Sequence, residues 1–171
     1  MLNIIPETNE EIAKIRQVII DAFGRTEEAD LVDKIRHSPN FIPELSLIAV
    51  ENQQVLGHIL FSRIVIEAPQ QTIPALVLAP LAVISSRQHQ GIGSKLIQAG
   101  LSKCCELDHA IVIVIGEPNY YQRFGFQTAS EFGLQSSLSI PDPVFMALEL
   151  KPNALTNISG MVRYPEYFQE V

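Results

Sequence analysis

Residues 45–85 narrow the possible folds more than any other part of this chain. They read "LSLIAVENQQVLGHILFSRIVIE", a short loop, and then "PALVLAPLAVIS". β-Branched and apolar residues dominate, broken only by a turn at Asn52-Gln53 and a loop over 68–72. Runs of this kind bounded by turn residues are strands, and connections this short join strands antiparallel. The segment "HAIVIVIGEP", beginning at His109, adds a second constraint. Its apolar run is too short for an isolated helix and does not alternate, as expected of a strand buried on both faces. A helix expected over 91–106 separates it from the strand before, so the two should lie parallel.

The remaining elements follow from periodicity. In "ETNEEIAKIRQVIIDAF", Ile12, Ile15, Ile19 and Phe23 recur at helical spacing, and Thr8 with Glu11 forms a capping-box pattern. "EEADLVDKIRH" is a second helix, stopped by Ser38-Pro39. In the helix over 91–106 the buried face should hold Leu96, Ile97, Leu101, Cys104 and Cys105. "YYQRFGF" is a short helix ended by Gly125, and "VFMALEL" and "ISGMVRY" are two further strands. The expected order is β-α-α-β-β-β-α-β-α-β-β, an α/β (α+β) chain with a mixed sheet flanked by helices. At 171 residues one domain over 1–171 is expected.

Several function classes fall away. A net charge of −7 speaks against nucleic acid as a partner and leaves a cationic or neutral substrate open. The two cysteines are adjacent and belong to no ligand cluster, so neither a disulfide framework nor a metal site is expected. The start, "MLNIIPETNEE", turns acidic too early for a secretory signal, and no apolar run is long enough to span a membrane. These features together indicate a reducing, cytoplasmic setting.

"ISSRQHQGIGSKLI", residues 84–97, places Gly91 and Gly93 where a helix begins. Glycine weakens a helix, so either the turn is tight or something approaches the backbone. A helix start offers unpaired N–H groups and the positive end of the dipole, which suits a phosphate-bearing ligand. The spacing is not that of a P-loop, because Ser94-Lys95 follows Gly93 in the wrong order. It is not that of a dinucleotide fingerprint either, because Leu96 stands where a third small residue belongs.

"LAVISSRQHQGIGSKLI" resembles the acetyl-CoA-binding motif of the GCN5-related N-acetyltransferase (GNAT) superfamily, with Gln88, Gly91 and Gly93 in the pattern positions. "IVIVIGEPNYYQRFGF" resembles that superfamily's second signature, a strand, a short helix with an aromatic pair, and Gly-Phe. "FGRTEEADLV", "VLGHILFS", "APLAV" and "GMVRYPEYF" resemble its YhbS-like branch. The sequence departs from the pattern by lacking a proline after "LAV" and a carboxylate in strand 75–84.

The resemblance implies a GNAT fold with a mostly antiparallel sheet and splayed central strands, and an N-acetyltransferase moving acetyl from acetyl-CoA to an amine-bearing acceptor. The backbone of Leu81, Ala82 and Val83 is expected to pair with the pantetheine arm. Gln88, His89, Gln90, Gly91, Ile92, Gly93 and Ser94 are expected to wrap the pyrophosphate, with Lys95 or Arg87 at the rim. Tyr121 is the expected general acid, and Tyr120 a core residue. The base is His58 or Glu117. Glu27, Glu28 and Asp30 are candidates to meet a cationic acceptor. A homodimer through the terminal strand "ISGMVRY" belongs to the same expectation. The rival readings are a non-catalytic acyl-CoA-binding module and a nucleotide-binding α/β domain.

Overall fold

The computed structural model describes residues 1–170; Val171, the last residue of the expected domain, lies outside them. The elements are β1 (Asn3–Pro6), α1 (Ile12–Phe23), α2 (Glu27–Arg36), β2 (Phe41–Glu51), β3 (Gln54–Ala68), β4 (Gln71–Val83), α3 (Ile92–Glu106), β5 (Ile111–Ile115), α4 (Pro118–Tyr121), β6 (Gln127–Thr128), β7 (Leu134–Ser136), β8 (Phe145–Glu149) and β9 (Gly160–Arg163). They form one mixed sheet in the order β1-β2-β3-β4-β5-β8-β6, with β9 on β3 beyond the end of β2 and β7 on β9. Pairing is antiparallel throughout except for β4 with β5 and β7 with β9. A nucleotide-binding doubly wound sheet is parallel through its centre, so the topology removes that reading. The order expected from sequence lacked β6 and β7, which are too short to leave a periodic signal.

The long strands work because alternate residues serve opposite cores. On β3, Ile59 and Phe61 face the layer of α3, while Leu60, Ile64 and Ile66 face that of α1 and α2. α1 contributes Ile15, Val18 and Ile19 to its layer, and α3 contributes Ile92, Leu96, Ile97 and Cys104 to the other. The expected buried face of α3 needs one correction. Cys105 is exposed, and Gly100 takes an inward position because the Phe61 ring fills the space above it. The capping box forms as expected: Glu11 accepts from the Thr8 backbone N–H at 2.8 Å and Thr8 accepts from Glu10. It starts a single 3-10 turn over Asn9–Glu11, and α1 continues from it. The terminal strand is not spare, since β3 takes one edge of β9 and β7 the other. Among the described residues no helix is long and apolar enough to cross a membrane.

A polar network ties the N-terminal elements to the sheet. Arg36 of α2 donates from Nε and Nη2 to the Glu7 carboxylate at 2.9 and 3.1 Å. The Ser46 hydroxyl donates to the same carboxylate and lies 2.9 Å from His58 Nε2. Ser46 has one proton, already given to Glu7, so His58 Nε2–H donates to the Ser46 oxygen and His58 Nδ1 is left without a partner. His58 is fully buried, and desolvation holds its pKa below the ordinary 6.5 against the pull of Glu7. Burial pushes the Glu7 carboxyl up, but hydrogen bonds from His58, Arg36 and Ser46 outweigh it and bring the pKa to about 2.

Both groups titrate lower in the folded chain than their ordinary values of 6.5 and 4.5. Acid therefore favours the unfolded chain, which takes up protons the native network refuses. Stability should be level above about pH 7, decline as pH falls through 6.5 on account of His58, and decline again below 4.5 on account of Glu7. Urea unfolding midpoints across pH 3–8 should show both steps, and His58→Gln should flatten the upper one. Glu7→Gln should cost about 3 kcal/mol at pH 7, because it strips a buried guanidinium of its main partner.

Candidate active site

The site originates in a flaw in strand pairing. β4 pairs with β5 only from Leu76–Val112 to Leu78–Val114. On its other edge the register with β3 shifts at the same height. Ile59 faces Leu81 and Phe61 faces Leu78, so Ala79 and Pro80 stand opposite Leu60 alone. An extra residue bends a strand, and proline lacks the N–H that a ladder needs. β4 therefore swings away from β5 after Leu78. It runs on to Val83 with β3 on one edge and no strand on the other.

One side of this opening is a cleft of about 560 Å³ lined by Leu81, Val83, Arg87, Gln88, His89, Gly91, Ile92, Gly93, Ser94, Tyr120 and Arg123. Most of the loop residues singled out in the sequence meet here. Gly91 caps α3 with φ +85° and His89 has φ +63°, so the loop turns through left-handed backbone at both positions. The first bond of α3 runs from Lys95 N–H to Gly91 C=O, which leaves the N–H groups of Ile92, Gly93 and Ser94 ahead of it free at the helix start. Gln88 is fixed by its bond to Val83 C=O at 3.0 Å. Gln90 turns aside and accepts from Arg87 at 2.9 Å, while Arg87 also pairs with Glu51. The Ala82 side chain is buried in the α1/α2 layer, so only its backbone belongs to this strand segment's free edge. Lys95 is exposed and outside the cleft wall.

On the other side of the opening lies a cleft of about 440 Å³. Its floor is β4 from Val77 to Leu81. One wall carries Phe23 and Glu28 from α1 and α2, the other Ile115, Gly116, Glu117 and Tyr121, and Tyr164 and Phe168 complete the rim. Leu81 lines both clefts. The two differ in charge. The first holds Arg87 and Arg123 and no carboxylate; the second holds Glu28 and Glu117 and no Lys or Arg.

The aromatic pair is divided between them. Tyr120, expected in the core, lines the first cleft, because the turn of α4 sends neighbouring side chains to different sides. Its hydroxyl is 3.5 Å from Ser94 Oγ, and Arg123 lies over its ring, 5.3 Å from the centroid. Tyr121 is 9% exposed, lines the second cleft, and its hydroxyl makes no hydrogen bond among the described residues. Burial pushes its pKa above the ordinary 10.0, with a smaller push from Tyr120. Each tyrosine rests on a glycine. A Cβ on Gly93 would stand 2.9 Å from the Tyr120 hydroxyl, and one on Gly116 would overlap the Tyr121 ring.

The two candidate bases part company. Glu117 lines the second cleft and caps α4 by accepting from Asn119 N–H at 3.3 Å. His58 lies in the buried network behind β4 and lines neither cleft. Of the acidic residues of α2, Glu28 is buried at the cleft and bound by Arg25 through two guanidinium nitrogens. Glu27 is exposed on the outer side of Arg25, and Asp30 is bound to Arg16. Burial pushes the Cys104 thiol up to about 12, so it is no nucleophile. Among the described residues no group of three or more His, Cys, Asp or Glu is placed to hold a metal ion. Arg123 and Gly116 were not singled out in the sequence; Arg123 shows itself only through its place over the Tyr120 ring, and Gly116 only through the Tyr121 ring that rests on it.

Comparison with known proteins agrees with this geometry. A family model described as an acetyltransferase (GNAT) domain matches residues 3–129. The chain is 34% identical over 152 residues to the uncharacterized N-acetyltransferase YjhQ of Escherichia coli K12, covering 85% of this chain and 84% of that one. It is 31% identical over 148 residues to the uncharacterized N-acetyltransferase YhbS of the same strain, covering 86% of each. The crystal structure of E. coli YhbS in complex with CoA superposes with a TM-score of 0.90 at 28% identity, over 98% of this chain and 92% of that one. A Brucella melitensis GNAT family acetyltransferase in complex with acetyl-CoA gives 0.78 at 30% identity, over 98% of both chains.

The seat beneath Tyr121 is testable without any ligand. Gly116→Ala should lower stability by about 1–3 kcal/mol, because the ring must shift in a packed layer. It should also alter the near-UV circular dichroism of the aromatic cluster. An unchanged urea midpoint and spectrum would show that the ring has room to move.

Proposed function

Because the chain belongs to the GNAT family of acetyltransferases, we propose that it transfers acetyl from acetyl-CoA directly to a primary amine while both are bound. The observation that carries this reading is the meeting of two oppositely charged clefts at Leu81, where β4 has left β5. The cationic cleft suits the phosphates of acetyl-CoA, and the relatives solved with CoA and acetyl-CoA support that assignment. The N–H groups of Ile92, Gly93 and Ser94, at the positive end of α3, receive the pyrophosphate, with Gln88 and His89 shaping the loop. Gln90 contributes by holding Arg87. The free edge of β4 over Leu81, Ala82 and Val83 pairs with the pantetheine amides as a further strand would. An N–H of that edge polarises the thioester carbonyl. Residues 1–171 act as one domain, and two free cysteines fit a reducing cytoplasm.

The acceptor enters from the anionic cleft. Its nitrogen attacks the thioester carbon, a C–N bond forms, the C–S bond breaks, and the products are an N-acetyl amide and CoA thiol. One proton leaves nitrogen and one reaches sulfur. A lysine-like ammonium has a pKa near 10.4, so roughly one molecule in 2,500 is free amine at pH 7 and a base is required. Glu117 is placed for that task, directly or through water. The location of His58 argues for a structural role. Tyr121 supplies the other proton. Burial keeps it protonated until charge grows on the departing sulfur, which the phenol then meets.

Thermal unfolding with saturating acetyl-CoA checks the first half. Binding to the native state alone adds about 2.7 kcal/mol at a hundred times the dissociation constant, so the midpoint should rise, whereas NAD should leave it unmoved. An unmoved midpoint with acetyl-CoA overturns the assignment of the first cleft. Tyr121→Phe should then lower turnover about 10²–10⁴-fold, read as CoA release, with acetyl-CoA affinity nearly unchanged. Normal turnover would remove Tyr121 as the acid. Acetyl-CoA binding with no release against any amine would favour a non-catalytic acyl-CoA-binding module.

A further inference from the structure

The walls of the anionic cleft specify more than the presence of an amine. Taking that cleft as the acceptor's, as the proposed function does, we propose that the acceptor is a primary amine joined by a short spacer to an apolar, ring-sized group, carrying no carboxylate, and that Glu28 is the residue that reads its ammonium. Two kinds of wall meet in this cleft. Phe23 and Ile115 both line it, and both are among the few large apolar side chains left open to water, each 40% exposed. Water-exposed apolar side chains lining one cleft gain by burial against an apolar group. A polar polyamine would leave them wet.

Charge fixes where the other end goes. Glu28 is 8% exposed, and Arg25 engages both of its carboxylate oxygens from one side. Each oxygen keeps a second acceptor site, and the carboxylate is held still by that grip. Arg25 is also within 3.8 Å of Glu27, which does not line the cleft, so Glu28 shares that guanidinium with a second carboxylate. Glu117 adds a second negative charge on the far wall, with no lysine or arginine lining the cleft to offset it. An ammonium is attracted to both walls, and a carboxylate on the same molecule is repelled by both. The Tyr121 hydroxyl, open to the cleft and without a protein partner among the described residues, marks where the nitrogen and sulfur must meet.

A panel assayed with the full chain tests this. With acetyl-CoA, 2-phenylethylamine and 3-methylbutylamine should be acetylated with kcat/KM at least tenfold above ethanolamine and putrescine. Phenylalanine, which adds only a carboxylate to the first amine, should fall at least tenfold below it. Glu28→Gln should lower kcat/KM for 2-phenylethylamine about 10–100-fold while leaving the acetyl-CoA melting shift unchanged. Ile115→Gln, at an exposed lip, should erase most of the margin over ethanolamine. Preference for putrescine or ethanolamine, equal use of phenylalanine, indifference to Glu28→Gln, or no turnover of the apolar amines by a protein that binds acetyl-CoA would each overturn the inference. Loss of acetyl-CoA binding itself would overturn the parent reading, and the melting shift of the unmodified protein separates the two failures.

Discussion

Everything functional in this molecule depends on one failure of pairing. A sheet strand wants partners on both edges, because an unpaired buried N–H or C=O costs about as much as a lost hydrogen bond. β4 gives up its partner at Leu78, where Pro80 cannot donate and the mismatch with Leu60 bends the strand. The remainder of β4 then has a live edge in the middle of a sheet, shielded by α3 on one side and α1 on the other. An edge inside a sheet is a specific receptor for something strand-like, without the aggregation hazard of an outer edge. The same gap separates two clefts whose linings share Leu81.

The division is carried into side chains by α4. Four residues long, it starts at Pro118, where the capping Glu117 carboxylate sits, and ends in two tyrosines that point to opposite clefts. Tyr120 packs over Gly93 and is covered by Arg123; Tyr121 packs over Gly116. Neither glycine has a positive φ, so each is needed for the volume it leaves to an aromatic ring. The opposite charge of the clefts arises from which elements reach them. Arg87 and Arg123 come from the loop before α3 and the turn after α4, Glu28 and Glu117 from the start of α2 and the end of β5.

Much of this was legible in the sequence alone. The antiparallel run of strands, the parallel return of β5 and the Gly91/Gly93 loop rest on local signals that tertiary packing had no reason to override, while Tyr121 was singled out by family resemblance. Pro80 carried a signal that went unused, since proline inside a strand marks a bulge or edge, and only the register shows that the bulge coincides with the parting of β4 and β5. The rest was out of reach for physical reasons. Which of Tyr120 and Tyr121 faces which cleft depends on the phase of a helix four residues long, and a one-residue error in phase exchanges them. β6 and β7, at two and three residues, exist only because β8 and β9 offer edges. His58 stood beside Glu117 as a candidate base, and no local pattern shows what a histidine in an apolar strand is bonded to. Its partners Glu7 and Arg36 lie 51 and 22 residues away, in β1's exit and in α2.

The network around His58 gains meaning from its position. His58 stands opposite Ala82 in the register of β3 with β4, directly behind the segment whose free edge opens on the clefts. From there the chain of bonds runs through Ser46 on β2 and Glu7 after β1 to Arg36 at the end of α2. α2 begins with Glu28 at the anionic cleft and ends with Arg36 in this network. A ten-residue helix packed only by apolar contacts could slide or rotate at small cost, because such contacts have little directionality. Bidentate bonding of Arg36 to a buried carboxylate removes that freedom. The buried polar cluster is thus best understood as a fixing point: it ties the end of α2 to β2 and β3, and thereby sets where the Glu28 carboxylate stands relative to the place where β4 parts from β5.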